Sequence, residues 1–270
     1  MKKQVLLLAL AILSLTSLAS GHDLFLKLDS FFLQPYSPAS VRLLNGTFTR
    51  SDGLVARERF RDVSLLADGA RRSGAESFSW QDEDNTSLLE LQTGAPGTYV
   101  VAVSTNAKEI DLKAADFNDY LRHDGIPDTL AERQKNRELS RDVRERYSKH
   151  VRAVFQVGDK LTDDYKQPLG YPVEIIPQKN PYALKVGQTL AVLCTRMAKP
   201  LVNQFVIAGW ESRAGKLHSI AMRTDANGLA RFKLKAPGKW YVKLIHMTPL
   251  ADPKVNYESQ WATLTFEIRN

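Results

Sequence analysis

The sequence predicts a mostly β protein: two β-sandwich domains, immunoglobulin-like or transthyretin-like, with a helical insertion. Three observations carry this. Short apolar stretches, alternating or β-branched and closed by turn residues, fill both ends of the chain. Residues 107–150 interrupt them with a charged run rich in helix formers. The segment "APGTYVVAVS" at 95–104 returns as "APGKWYVKLIH" at 236–246, so Pro-Gly twice turns the chain into an aromatic-led strand.

In chain order, Lys2 and Lys3 precede an apolar run from Val5 to Leu18, and Ala19-Ser20-Gly21 supply small residues. This is the pattern of a cleavable signal peptide over 1–21, too short for a membrane span and followed by no stop-transfer cluster. It implies export to the periplasm and a mature chain that does not span the membrane. Cuts after Ala19 and after Gly21 both fit, and the second leaves His22 as the first residue.

The N-terminal sandwich is expected over 22–160. Its strands are "DLFLKL", "ASVRLLNGTF", "DVSLLADG", "SLLELQTG", "TYVVAVST" and, after the helical insertion at 107–150, "VRAVFQVGD". Within the insertion Asp128 follows Pro127 as an N-cap, and His123 and His150 are placed on solvent-facing surface. The C-terminal sandwich is expected over 161–270, with strands in "YPVEIIP", "TLAVLCTR", "NQFVIAGWES", "LHSIAMRT", "LARFKLK", "KWYVKLIHM" and "QWATLTFEIR". Asn227-Gly228 predicts a type I′ hairpin.

Lys+Arg 37 against Asp+Glu 30 gives a net charge of +7, which becomes +5 once Lys2 and Lys3 leave with the leader. The cations are spread along the chain, which argues against a nucleic-acid partner, as does export. Cys194, the one cysteine, lies in an apolar run and reads as a buried small hydrophobe. No HExxH, cysteine-pair, GxSxG, P-loop or GxGxxG pattern occurs. No catalytic residue is assigned.

His22 is the sharpest candidate. As a first residue it offers its α-amine and its imidazole to one metal ion, and one more imidazole completes a planar three-nitrogen set suited to Cu(II) or Ni(II). His246, at the end of "KWYVKLIH", is the second ligand expected, on the same strand face as Val242 and Leu244. Glu258 precedes the last strand and reaches the same mouth if the two strands pair. Two other readings stand beside this metal site. One is a non-catalytic β-sandwich module that binds an envelope protein or glycan, for which Trp210, Trp240 and Trp261 would form a platform unless they pack in the core. The other is a copper oxidase.

"YPVEIIPQKNPYALKVGQTL", "RTDANGLARFKLKAPGKWYVKLIHM", "YESQWATLTFEI", "VRERYSKHVRAVFQVGD" and the start "GHDLFLKL" resemble the domain-of-unknown-function 4198 family over nearly the whole mature chain. The resemblance implies an exported β-sandwich protein, grouped with periplasmic components of nickel and cobalt uptake. It implies a nickel or cobalt ion as cofactor or cargo, beside the Cu(II) that the three-nitrogen set also suits, and a membrane transporter component as partner, and it carries His22 and His246 as recurrent histidines. Phe25 stands where the family often has tryptophan, and His150 where it often has tyrosine.

Overall fold

The fold is that of a computed structural model, in which residues 22–74, 78–212 and 214–269 are described. The leader expected over 1–21 lies outside them. The strands are β1 (Asp23–Leu28), β2 (Phe32–Leu33), β3 (Pro38–Gly46), β4 (Phe60–Ala67), β5 (Ala70–Ser73), β6 (Ser79–Glu83), β7 (Thr86–Gln92), β8 (Gly97–Thr105) and β9 (Lys108–Leu112). Helices α1 (Ala114–His123) and α2 (Pro127–Lys135) follow, then β10 (Val143–Val157) and β11 (Val173–Pro177). The chain continues through β12 (Thr189–Arg196), β13 (Lys199–Pro200), β14 (Phe205–Glu211), β15 (Leu217–Arg223), β16 (Leu229–Lys233), β17 (Gly238–Pro249) and β18 (Tyr257–Ile268). The mostly β class is as expected.

One large sheet runs β15-β14-β17-β18-β10-β8-β4-β5, with β2 and β9 also on β10. A second sheet, β1-β3-β7-β6, encloses a core of Leu24, Leu26, Val41, Leu89, Val101 and Phe155 with the N-terminal half. A third, built on β12 with β11, β13 and β16, encloses Ile175, Val192, Trp240, Val242, Leu264 and Phe266 with the C-terminal half. The halves share the large sheet, because β10 pairs in parallel with β18 from Glu145↔Tyr257 to Ala153↔Thr265. This pairing crosses the boundary expected at 160.

The helical expectation over 107–150 needs correction. Helix occupies 114–123 and 127–135, whereas 143–150 belong to the long strand β10. Its charges alternate, and β9 supplies partners: Arg144 Nε lies 2.7 Å from Asp111 and Arg146 3.0 Å from Glu109. Tertiary pairing overrides local helix propensity there. His150 is consequently buried, not solvent-facing. Asp128 does not cap α2, which starts at Pro127 after Ile126; its carboxylate holds Arg223 at 2.7 Å instead.

The repeated Pro-Gly segments occupy matching places. β8 flanks β10 and β17 flanks β18, so they bracket the central pair. In each, the aromatic binds the carbonyl four residues back: Tyr99 Oη donates to Ala95 at 2.7 Å, and Trp240 Nε1 to Ala236 at 3.0 Å.

Asn227-Gly228 does not close a hairpin. β15 pairs with β14 and β16 with β12, so the turn carries the chain between sheets. A type I′ turn needs two residues with positive φ, and of this pair only Gly228, at +75°, has it. Asp225 Oδ1 organises the turn by accepting from the Asn227 and Leu229 amides. Trp210, Trp240 and Trp261 are buried, so the aromatic-platform option fails and core packing holds. Cys194 is buried in the C-terminal core as expected, its thiol pushed up to about 12 by desolvation.

Strand β1 is the first strand of the described residues. All six residues are buried. Leu24, Leu26 and Leu28 enter the N-terminal core, while Phe25 meets Phe48 and Tyr241 edge-on at 5.3 and 5.4 Å. The carbonyls of Leu24 and Leu26, left free by the sheet, accept from Thr263 and Thr265 hydroxyls of β18 at 2.7 and 2.6 Å. Tyr241 lies across Gly209, its ring about where a Cβ would stand: a Cβ there would fall 2.3 Å from the ring.

Candidate functional site

The three residues expected to gather around a metal are not gathered. On β17, Val242 and Leu244 enter the C-terminal core and His246 continues that face, whereas Lys243 points to the other side and meets Asp23, the residue after His22. His22 and His246 therefore lie on opposite faces of the large sheet. His22 Nδ1 sits 3.9 Å from Asp52 Oδ2, whose other oxygen holds Arg50 at 2.7 Å.

His246 and Glu258 do share a face, because β17 and β18 pair with His246 opposite Gln260 and Thr248 opposite Glu258. Arg196 stands between them, 2.9 Å from Gln260 Oε1 and 3.6 Å from Glu258. Burial, and then the Arg196 charge, bring the His246 imidazole down to about 4. Gln204 donates to the carbonyls of Phe205 and Ile245, so its Oε1 accepts from His246 Nδ1 at 2.9 Å. That fixes the neutral tautomer with its lone pair on Nε2. A cation at this nitrogen would face the Arg196 guanidinium. Among the described residues no three His, Cys, Asp or Glu side chains stand together with metal-binding geometry.

On the opposite face, where β1, β10, β17 and β18 meet α1, lies a buried charged cluster. Lys243 Nζ holds Asp23 at 2.6 Å and Asp124 at 3.4 Å. Burial opposes the ammonium charge, but the two carboxylates outweigh it and keep Lys243 above its ordinary range. Burial lifts Asp124 to about 6 against the pull of Lys243. Glu145 binds Ser259 and Tyr120, and burial lifts it to about 7. Lys149 is brought down to about 8 by burial, which Asp23 partly offsets and Arg59 reinforces.

Lys149 links this cluster to an open recess of about 390 Å³, lined among others by Asn45, Arg59, Thr105, Lys108 and Tyr147. Its ammonium donates to the His22 carbonyl and to Asn45 Oδ1, the latter at 3.2 Å. Arg59 donates to Tyr147 Oη at 3.2 Å and to the Asn106 carbonyl at 3.1 Å. Both cations lie over the Tyr147 ring, at 5.0 Å for Arg59 and 5.7 Å for Lys149. None of these groups stood out in the sequence. The available signal was a lysine inside an otherwise apolar strand, Lys243 in "WYVKLIH", since a buried charge requires a partner.

Among solved structures, the D0-D1 domain of intimin is similar at 15% identity, covering 90% of this chain and 97% of that one with a TM-score of 0.22. Trypsin-activated alpha-2-macroglobulin from Escherichia coli matches at 10% identity, covering 91% of this chain but 15% of that chain, with a TM-score of 0.25. A two-domain fibronectin type-III segment of chicken tenascin matches at 10% identity over 92% and 98%, with a TM-score of 0.22. No curated protein matches. The family profile ends at residue 248, so "YESQWATLTFEI" lies beyond it and the match is carried by the residues upstream. Because that profile covers residues 19–248, the chain belongs to the family described as domain of unknown function DUF4198.

Proposed function

We propose that this chain is a binding module of the cell envelope, and that its contacts lie in the recess beside β1. The observation that supports this is the recess itself: a volume of about 390 Å³, within the range of small-ligand sites, with polar side chains drawn from several strands. The recess is held in place by β1, whose carbonyls and charges are tied into the large sheet.

The proximity of His22 to Asp52 favours a second reading. An exported chain cut after Gly21 would present its α-amine and the His22 imidazole beside a carboxylate, suited to Ni(II), Co(II) or Cu(II) delivered to a membrane transporter component. That reading uses Asp52 in place of His246 and Glu258. The amine must be deprotonated, so affinity would fall below about pH 7.7–8.0.

Calorimetric titration of the exported chain decides between them. The binding-module reading expects saturable binding of an N-acetylglucosamine oligomer or a small polar ligand, weakened at least tenfold by Tyr147→Ala. Micromolar Ni(II) or Cu(II) binding, lost when one residue is added ahead of His22 and kept in His246→Ala, would replace it with the metal reading.

A further inference from the structure

The recess holds an excess of positive charge with no contacting carboxylate. Lys149, Arg59 and Lys108 line it against one acid, Glu58. Elsewhere the buried cations Lys27, Arg152 and Lys243 each hold a carboxylate directly, and buried Arg133 is met by the Asn118 amide oxygen and the carbonyls of Glu138 and Arg141. Among the described residues Lys149, Arg59 and Lys108 have none within ion-pair distance, and the acceptors of Lys149 and Arg59 are neutral oxygens. Lys149 also faces the inner cluster, where Asp23, Asp124 and Glu145 act on it from a distance, so part of its charge is balanced there. Arg59 and Lys108 have no such counterweight.

Donors remain as well as charge. An ammonium carries three N–H groups, and Lys149 uses two. Arg59 uses its two Nη groups, while its Nε–H is buried and has no acceptor among the described residues. A buried unmade donor is costly, and a ligand oxygen that draws the guanidinium toward it would remove that cost. Tyr147 supplies a ring face beside both cations.

We infer that the recess binds a small carboxylate-bearing anion, received by Arg59 and Lys149 with Lys108 at the rim. This rests on the binding-module reading and names the chemistry of its ligand. A carboxylate matches the guanidinium edge in a way that a neutral sugar does not. A ligand with several carboxylates, such as citrate, would balance Arg59 and Lys108 and the part of the Lys149 charge that the inner cluster leaves.

The test is titration of the exported chain with citrate, with an uncharged N-acetylglucosamine trimer alongside. Citrate is expected to saturate one site, and affinity should fall as ionic strength rises. Arg59→Gln should weaken it ten- to hundredfold, as loss of a charge-assisted bond does. Lys108→Gln, at an exposed position where folding is not at stake, should weaken it severalfold, and Lys235→Gln, remote from the recess, should leave it unchanged. Citrate binding unaffected by both Arg59→Gln and Lys108→Gln, or no saturable citrate binding, overturns the inference. If the trimer binds and Tyr147→Ala abolishes that binding while citrate does nothing, the module reading survives and the anion does not. If neither binds, both fall.

Discussion

Glu145 lies under α1 with its carboxyl bonded to Ser259 and Tyr120. Its pKa is raised from 4.5 to about 7 by burial. The folded state thus holds a proton that the unfolded chain gives up, so the stabilisation is complete below pH 4.5 and is lost as pH rises through 7. At about 1.4 kcal/mol per pH unit, the loss amounts to about 3 kcal/mol. Glu145→Gln keeps hydrogen-bonding atoms and does not ionise, so its stability relative to the wild type should climb by about that much between pH 4.5 and 8. Urea unfolding at a series of pH values measures this, and a difference that stays flat with pH would mean the carboxyl ionises normally. A second residue carries a larger load. Glu174 receives the buried Arg152 guanidinium and the amides of Leu169, Gly170 and Tyr171. Glu174→Ala strands a buried charge and should cost about 3–5 kcal/mol, read from the same unfolding curves. A cost below about 1 kcal/mol would show that water reaches Arg152.

At the scale of elements, the two Pro-Gly corners make the most specific prediction. Tyr99→Phe deletes the hydroxyl that donates to the Ala95 carbonyl and accepts from the Gly94 amide, and should cost about 1–2 kcal/mol. Gly209→Ala should cost more, because Tyr241 would have to leave its place against Phe25 and Phe48; thermal unfolding ranks the two, and Gly209→Ala milder than Tyr99→Phe would contradict the packing. Most strands were legible in the sequence because alternation and turn residues are local. β10 was legible only from 151 onward. Its first half, "VRERYSKH", looks helical in isolation and becomes a strand because β9 and β18 offer opposite charges and free backbone on either side. The Asn227-Gly228 turn was legible as a turn, but not as a crossing between sheets, since β15 is already paired with the preceding strand β14 while the partner of β16, β12, lies two strands further back in the chain than β14.

The whole molecule should unfold as one unit. β10 of the N-terminal half and β18 of the C-terminal half pair over nine register positions, and β1 is bonded to β18 through Thr263 and Thr265. Calorimetry of residues 22–270 is expected to show a single transition whose van't Hoff and calorimetric enthalpies agree. A fragment of residues 22–160 should fail to fold stably, because it bares the edge of β10 and removes Lys243, the partner of buried Asp23. Two separate transitions, or a well-folded fragment, would show that the boundary at 160 divides independent domains. The position of His22 follows from the same integration. Its neighbour Asp23 is buried against Lys243, so the start of β1 is fixed against the face of the large sheet.

The sequence by itself determined the mostly β class, most strand periodicities, the presence of helix within 107–150 though not its limits, the buried role of Cys194 and the pairing of the two Pro-Gly segments as like elements. Each of these rests on interactions between residues close in the chain. It also marked His22, His246 and Glu258 as metal-capable side chains, which is a property of residue type. Only the tertiary structure decided where those side chains meet. One step of strand alternation, Lys243 against Leu244 and His246, sends Lys243 to the face of β1 and His246 to the face behind it. The recess was beyond the reach of the sequence for the same reason: Asn45, Arg59, Lys108 and Lys149 come from segments far apart in the chain. What makes them a site is the charge they leave unbalanced when the sheets close, and no single segment carries that.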